Sequence, residues 1–217
     1  MTASLDGTNG LTFPDASLMY TANSMGMRNR VINGGMAIDQ RNAGASQTIT
    51  AGTFTSPTGY TVDRFFALCF GANVTGQRIA GSTFNQYRYQ ITGAASVTSV
   101  GFATRLEQLN TYDLNNSTVT LAVDISNSLL TTVTWAAYYA TTTADTFGTI
   151  TTSATTAPTT GTLISTGTFT VTSSIARYST QISIPSAATT GIEIRFSVGA
   201  QTSGTWVIGN VQLEAGS

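Results

Sequence analysis

Residues 117–128 read STVTLAVDISNS, and their alternation decides the fold class. Val119, Leu121, Val123 and Ile125 fall on one side of an extended chain, and Thr118, Thr120, Ala122 and Asp124 on the other, as a strand buried on one face requires. The same period recurs in RYSTQISIP at 177–185, where Tyr178, Ile182 and Ile184 alternate with Arg177, Ser179, Gln181 and Ser183. It recurs again in GIEIRFSVG at 191–199, with Ile192, Ile194, Phe196 and Val198 on the apolar side. Three one-sided strands imply a sheet packed on something apolar.

Further β-branched and aromatic runs read as strands: QTITAGTFT, TVDRFFALCFGA, FNQYRYQIT, TTVTWAAYYA, STGTFTVTS and GTWVIGNVQLEAG. Turn-forming clusters such as TSPTGY, ANVTGQ, LNNS and AQTSG separate them. Helical spacing is confined to TRLEQLN. Many short strands with regular turn signals predict an all-β protein, an antiparallel β-sandwich of jelly-roll type. Its expected core is Val119, Leu121, Val123, Trp135, Ile182, Ile194, Phe196 and Leu213. Residues 1–27 lack alternation and read as an extended N-terminal arm, or attachment segment, ahead of a sandwich over 28–217. Residues 141–162, rich in Thr and Ala, read as a long loop interrupted by one short strand near 149–152.

The chain has 217 residues, only 9% of them charged, against about 25% in ordinary globular proteins, and Thr fills 42 positions. Its surface is therefore hydroxyl-rich rather than ionic. All nine basic residues are Arg, there is no His, and the ten carboxylates are scattered from Asp6 to Glu214. No basic stripe exists to track phosphates, so nucleic acid is not an expected partner. The longest fully apolar run, 65–70, is far below the roughly 20 residues of a membrane helix, so membrane insertion is not expected either. Cys69, within that run, reads as a small buried hydrophobe.

Without His or Lys there is no imidazole-based triad, no imidazole metal cage and no Schiff-base or Walker chemistry. Glycoside hydrolysis needs two carboxyl groups facing each other, and nothing in the spacing of Glu107, Asp113, Asp124, Glu193 and Glu214 selects a pair. No loop shows a calcium-ligand pattern. The sequence therefore predicts no enzyme activity, no cofactor and no metal. Aromatic residues remain as recognition candidates, because sugar rings stack on exposed aromatic faces beside polar side chains. Tyr87 and Tyr89 share a strand face in NQYRYQ, and Tyr112 sits among polar residues in LNTYDLNN. These three are the candidate glycan-binding residues, against the plainer alternative that such tyrosines belong to a core or a subunit interface.

MRNRVINGGMAIDQRNAG, YTVDRFFA, RLEQLNTYDLNNSTVTLAVDIS, TWAAYYA, TGTFTVTSSIARYSTQISIP and GIEIRFSVGAQTSGTWVIGNVQLEAGS occur in that order. Together, over about 28–217, they resemble the jelly-roll domain of tail-fibre and appendage proteins of tailed bacteriophages, a relative of the carbohydrate-binding-module sandwiches. Where that pattern has a Trp after its Asp-Arg pair, this chain has Phe65. The resemblance implies that Val31, Ile32, Met36 and Ile38 form the first edge of the sandwich, with a bend at Gly34 and Gly35. Asp39, Arg41, Asp63 and Arg64 then form ion pairs at its rim. It implies a non-enzymatic structural subunit of a phage virion, on the particle surface, contributing to host-surface adsorption. Expected partners are further copies of the chain, as a homo-oligomer and by family habit a trimer, other virion proteins reached through the N-terminal arm, and a host-surface glycan. Two alternatives stay open: a capsid decoration or cement protein, and a carbohydrate-binding module of a bacterial protein.

Overall fold

The computed structural model describes residues 4–6, 10–12, 18–19, 29–55, 59–82 and 85–216. Three short strands come first, β1 (Ser4–Asp6), β2 (Gly10–Thr12) and β3 (Leu18–Met19), and they pair in the order β1-β2-β3 as a sheet of their own. Eleven more make two antiparallel sheets: β4 (Gln47–Ile49), β5 (Phe65–Phe70), β6 (Val74–Ser82), β7 (Asn85–Thr92), β8 (Ser99–Leu106), β9 (Ser117–Asn127), β10 (Thr132–Ala140), β11 (Gly161–Thr170), β12 (Ala176–Ile184), β13 (Ile192–Val198) and β14 (Thr205–Ala215). One sheet has the order β11-β10-β13-β8-β5 and the other β12-β9-β14-β7-β6-β4. From β4 onward consecutive strands change sheet at every step except β6 to β7 and β10 to β11, which is the jelly-roll sandwich that the alternation predicts.

The core lies between the sheets, and all eight residues expected there are in it. Val119, Leu121, Val123 and Ile125 of β9 are fully covered. Opposite them lie Ile192, Ile194, Phe196 and Val198 of β13. The tilted stack of Trp135, Phe169 and Tyr178 reaches from the five-stranded sheet across to β12. Cys69 is buried, and its thiol donates to the Ile49 carbonyl at 3.2 Å. Burial raises its pKa, so it behaves as the small hydrophobe expected.

The five-stranded sheet is also covered on its outer side. Phe66, Leu68 and Phe70 of β5 pack there with Phe54, Ala103, Ile150 and Ala154, while Ala136, Tyr138, Ala140 and Phe147 form a neighbouring cluster. The covering residues come from the loops before β5 and between β10 and β11. In the second loop the expected short strand is a single bridge, Ile150 to Phe54. Strands buried on both faces need not alternate; β13, expected to be one-sided, is also covered on both, and it keeps its polar positions because Glu193 and Arg195 pair with each other under the covering loop. Strand β8, SVGFATRL, lies between β13 and β5 and is covered on both faces, so no alternation marks it in the sequence. Strand β6 is likewise hidden in the sequence, because its first residues read as the turn cluster ANVTGQ.

The opening segment differs from expectation. Residues 31–35 form a turn rather than two strand pieces, and the segment joins the sandwich by one bridge, Asn29 to Glu214. Val31 and Met36 are in the core, but Ile32 and Ile38 are exposed. Asn29 fastens the segment to β14 by donating to the Val211 carbonyl and accepting from the Leu213 amide. Val211 in turn donates to the Gly34 carbonyl at 3.0 Å. Backbone approaches so closely here that a Cβ on Gly34 would lie 2.0 Å from the Val211 oxygen, whereas one on Gly35 would meet nothing. The close approach, not a flexible bend, is what requires glycine.

Candidate functional site

A polar constellation lies where β5 begins and β8 ends, on the outer side of the five-stranded sheet. The chain reverses sharply into β5: Thr61 donates to Phe65, Phe65 to Val62, and Tyr60 bridges Phe66. Arg64, at the corner, has φ of 74°, a left-handed conformation unusual for a residue with a Cβ. Its carbonyl accepts from the Thr104 hydroxyl at 2.9 Å, and its guanidinium pairs with Glu107 just beyond β8.

Arg105 of β8 and Glu193 of β13 are register partners. Arg105 Nε donates to Glu193 Oε2 at 2.7 Å. The rest of the Arg105 guanidinium lies among three rings, 4.9 Å from the centre of Phe147, 5.1 Å from Phe66 and 5.8 Å from Phe54. Its Nη2 is buried without a hydrogen-bond partner among the described residues. Glu193 has a second cation, Arg195, which donates through Nη1 to the carbonyls of Ala154 at 3.1 Å and Thr156 at 2.7 Å. The ion pair thus pins the loop between β10 and β11 to the sheet.

A cleft of about 430 Å³ opens here, its walls including Tyr60, Arg64, Arg105, Glu107, Asp145 and Phe147. Asp145 accepts from the Gln108 amide at 2.7 Å, which ties the loop to the start of helix α1 (Gln108–Thr111). Tyr60 is shared with a second hollow of about 300 Å³ bounded by residues 47–55, and the Arg41 guanidinium lies 5.1 Å from its ring centre. Burial on its own would raise the Glu107 pKa, but the hydrogen bond from Arg64, a backbone contact and Asn110 together hold it below the ordinary carboxylate range. It is therefore an acceptor at neutral pH, not a proton donor. Among the described residues no group of three His, Cys, Asp or Glu is placed to hold a metal.

Of the four rim residues, two form ion pairs, but with partners outside the set. Arg64 takes Glu107, and Asp39 takes Arg78 at 3.7 Å. Asp39 also accepts from the amides of Asn42 and Gly44, and Asp63 accepts from the Gln40 amide, while Arg41 lies over Tyr60. The three tyrosines do not form one recognition face. Tyr89 points into the core, 2% exposed, stacked on Phe102 at 5.2 Å, with its hydroxyl accepting from Gln47 at 2.6 Å. Tyr87, half-buried on the same strand side, lies under the Arg78 guanidinium at 4.2 Å. Tyr112 alone is well exposed, in the 3-10 turn Tyr112–Leu114. Arg105, Glu193 and Asp145, which build the cleft, were not singled out as binding residues, and only strand register brings the first two together.

No protein-family model matches the sequence, and no curated protein does. Solved structures do match. A CBM4 carbohydrate-binding module aligns with TM-score 0.50 at 13% identity, covering 86% of this chain and 99% of its own. A putative sugar binding protein from Bacteroides thetaiotaomicron aligns with TM-score 0.52 at 10% identity, over 87% of this chain and all of its own. The enzymatically active domain of bacteriophage CBA120 tailspike protein 4 aligns at 13% identity with TM-score 0.49, and this chain spans 21% of that one. At such identities the likeness concerns the fold, the β-sandwich of the carbohydrate-binding modules.

Proposed function

We propose that the chain is a non-catalytic carbohydrate-binding β-sandwich whose saccharide site is the cleft between Tyr60, Arg64, Arg105, Glu107 and Asp145. The observation that carries this reading is Arg105 Nη2, buried beside the cleft with no partner among the described residues. Leaving such a donor unsatisfied costs about 1–3 kcal/mol or more, and a ligand oxygen removes that cost. Around it the walls offer an aromatic ring, a second guanidinium and two carboxylates, a set of donors and acceptors that suits hydroxyl groups. The sandwich shared with a CBM4 module and a putative sugar binding protein supports the same reading.

Titration calorimetry against a panel of oligosaccharides tests it. Binding should be lost in Tyr60→Ala, with circular dichroism unchanged, and kept in Tyr112→Ala. Loss in Tyr112→Ala alone, or no binding to any saccharide, would overturn the assignment.

The resemblance in sequence to phage appendage domains supports a setting for this activity: display on a virion surface, where the bound sugar belongs to the host envelope. Strands β1 to β3 favour that setting in one respect. They form a sheet separate from the sandwich, with Leu5, Leu11 and Met19 in register, and a sheet of such short strands is not stable unaided. Further copies of the chain, in a trimer, supply the cover. Light scattering should give three chain masses, falling to one when residues 1–27 are deleted; one mass before deletion would refute the trimer.

A further inference from the structure

We infer that the cleft selects a neutral saccharide presenting two adjacent hydroxyl groups and discriminates against uronates and other anionic sugars; this rests on the carbohydrate-binding reading above. Each guanidinium at the cleft already meets a carboxylate, Arg64 that of Glu107 and Arg105 that of Glu193. Behind them Glu193 also pairs with Arg195, and in front Asp145 adds a further exposed carboxylate to the wall. Taken together, the three guanidiniums of Arg64, Arg105 and Arg195 are balanced by the carboxylates of Glu107, Glu193 and Asp145, so an anion entering here meets no net positive charge from this group, and it approaches Glu107 and Asp145, two carboxylates of its own sign.

A pair of neighbouring hydroxyls fits the same groups on both counts. The planar Arg105 fork spends Nε on Glu193 and keeps Nη2 for an oxygen, while Glu107 and Asp145 can accept the hydroxyl protons. A uronate carries such hydroxyls as well, so what the cleft opposes in it is the charge of its carboxylate, brought near those of Glu107 and Asp145. The adjoining hollow continues the pattern: its walls, from Gln47 to Thr55 with Tyr60, Ala67 and Leu68, include no charged residue. Because Tyr60 belongs to both spaces, a chain of sugar units can pass from one to the other across its ring, near which the Arg41 guanidinium lies.

The experiment is titration calorimetry of the full chain with neutral cello-, manno- and galacto-oligosaccharides and with oligogalacturonate and oligomannuronate of matched length, at low and high salt. We expect a neutral series to bind at least about tenfold more tightly than either uronate, since like charges near the ligand oppose it. The neutral affinity should change by less than about twofold with salt, because no net charge is screened. In Glu107→Gln, which releases Arg64 from its carboxylate, the preference should narrow. A uronate bound as tightly as the best neutral sugar by the unaltered protein, or a preference unmoved by Glu107→Gln, would overturn this inference and leave the carbohydrate reading standing. Absence of binding to every member of both series would overturn the carbohydrate reading itself.

Discussion

Arg105 and Glu193 face each other across neighbouring strands, with Nε 2.7 Å from Oε2, and Glu193 is entirely covered. A carboxylate removed from water in this way needs its charge matched and its lone pairs filled. Two guanidiniums do so here. Arg105 fills Oε2 and Arg195 fills Oε1. The two cations then work in different directions, Arg195 toward the covering loop and Arg105 toward the cleft. One buried carboxylate thus links the packing of the outer loop to the geometry of the candidate site.

Arg195→Met should be among the most destabilising substitutions in the chain. It strips Glu193 of one cation and leaves the carbonyls of Ala154 and Thr156 without their donor, in a site where Arg195 is 1% exposed. Breaking a buried pair costs about 3–5 kcal/mol, which urea denaturation should show directly. Arg105→Met should cost less, about 1–3 kcal/mol, because Glu193 keeps Arg195 and Arg105 makes fewer hydrogen bonds. Equal costs, or the reverse order, would refute this division of labour.

Gly34 and Gly35 are adjacent but not equivalent. Ala at position 34 drives its Cβ to 2.0 Å from the Val211 oxygen, and the atom in the way is backbone, so the opening segment must shift off β14. Overpacking of this kind costs about 1–3 kcal/mol. Ala at position 35 meets nothing within 4 Å and should fall within about 0.5 kcal/mol of the parent. Thermal unfolding of both variants decides it; similar melting temperatures would contradict the close approach.

The half-buried strands β9 and β12 could be read from sequence because one side meets the core and the other meets solvent, which writes burial into every second residue. Strand β8 could not, since the outer loops cover its second face and leave no polar partner residues to mark the period. Period two also says which residues share a face without saying which face is inside. Tyr87 and Tyr89 do lie on one side of their strand, and that side is the inner one. The cleft was hidden for another reason. Tyr60, Arg105 and Asp145 are far apart in sequence, and strand register with a long loop crossing brings them together.

Tyr89→Phe separates the core tyrosine from the candidate site. The hydroxyl accepts a hydrogen bond from Gln47 and also interacts with the Thr61 side chain, and burial raises its pKa so that it stays protonated at any physiological pH. Removing it should cost about 0.5–1.5 kcal/mol with saccharide binding unchanged. Lost binding in a folded Tyr89→Phe protein would move the site from the Tyr60 cleft to the six-stranded sheet.

Glu107 should give the cleft a characteristic acid dependence. Its carboxyl is held below the ordinary value of 4.5, chiefly by Arg64 working against the effect of burial. A folded-state pKa lower than the unfolded one means that folding favours the ionised form, so the contribution is complete above about pH 4.5 and disappears as pH falls through the depressed folded value. The pair is partly open to solvent, with 35% and 40% of the two side chains exposed, which limits its worth to about 0.2–1 kcal/mol. Denaturation of the parent and of Glu107→Gln, followed from pH 7 to about pH 3, should therefore show the parent ahead by that amount at neutral pH and the two converging in acid. A gap that stayed constant across the range would mean that the Arg64 ion pair contributes nothing to stability and that the difference comes from packing alone.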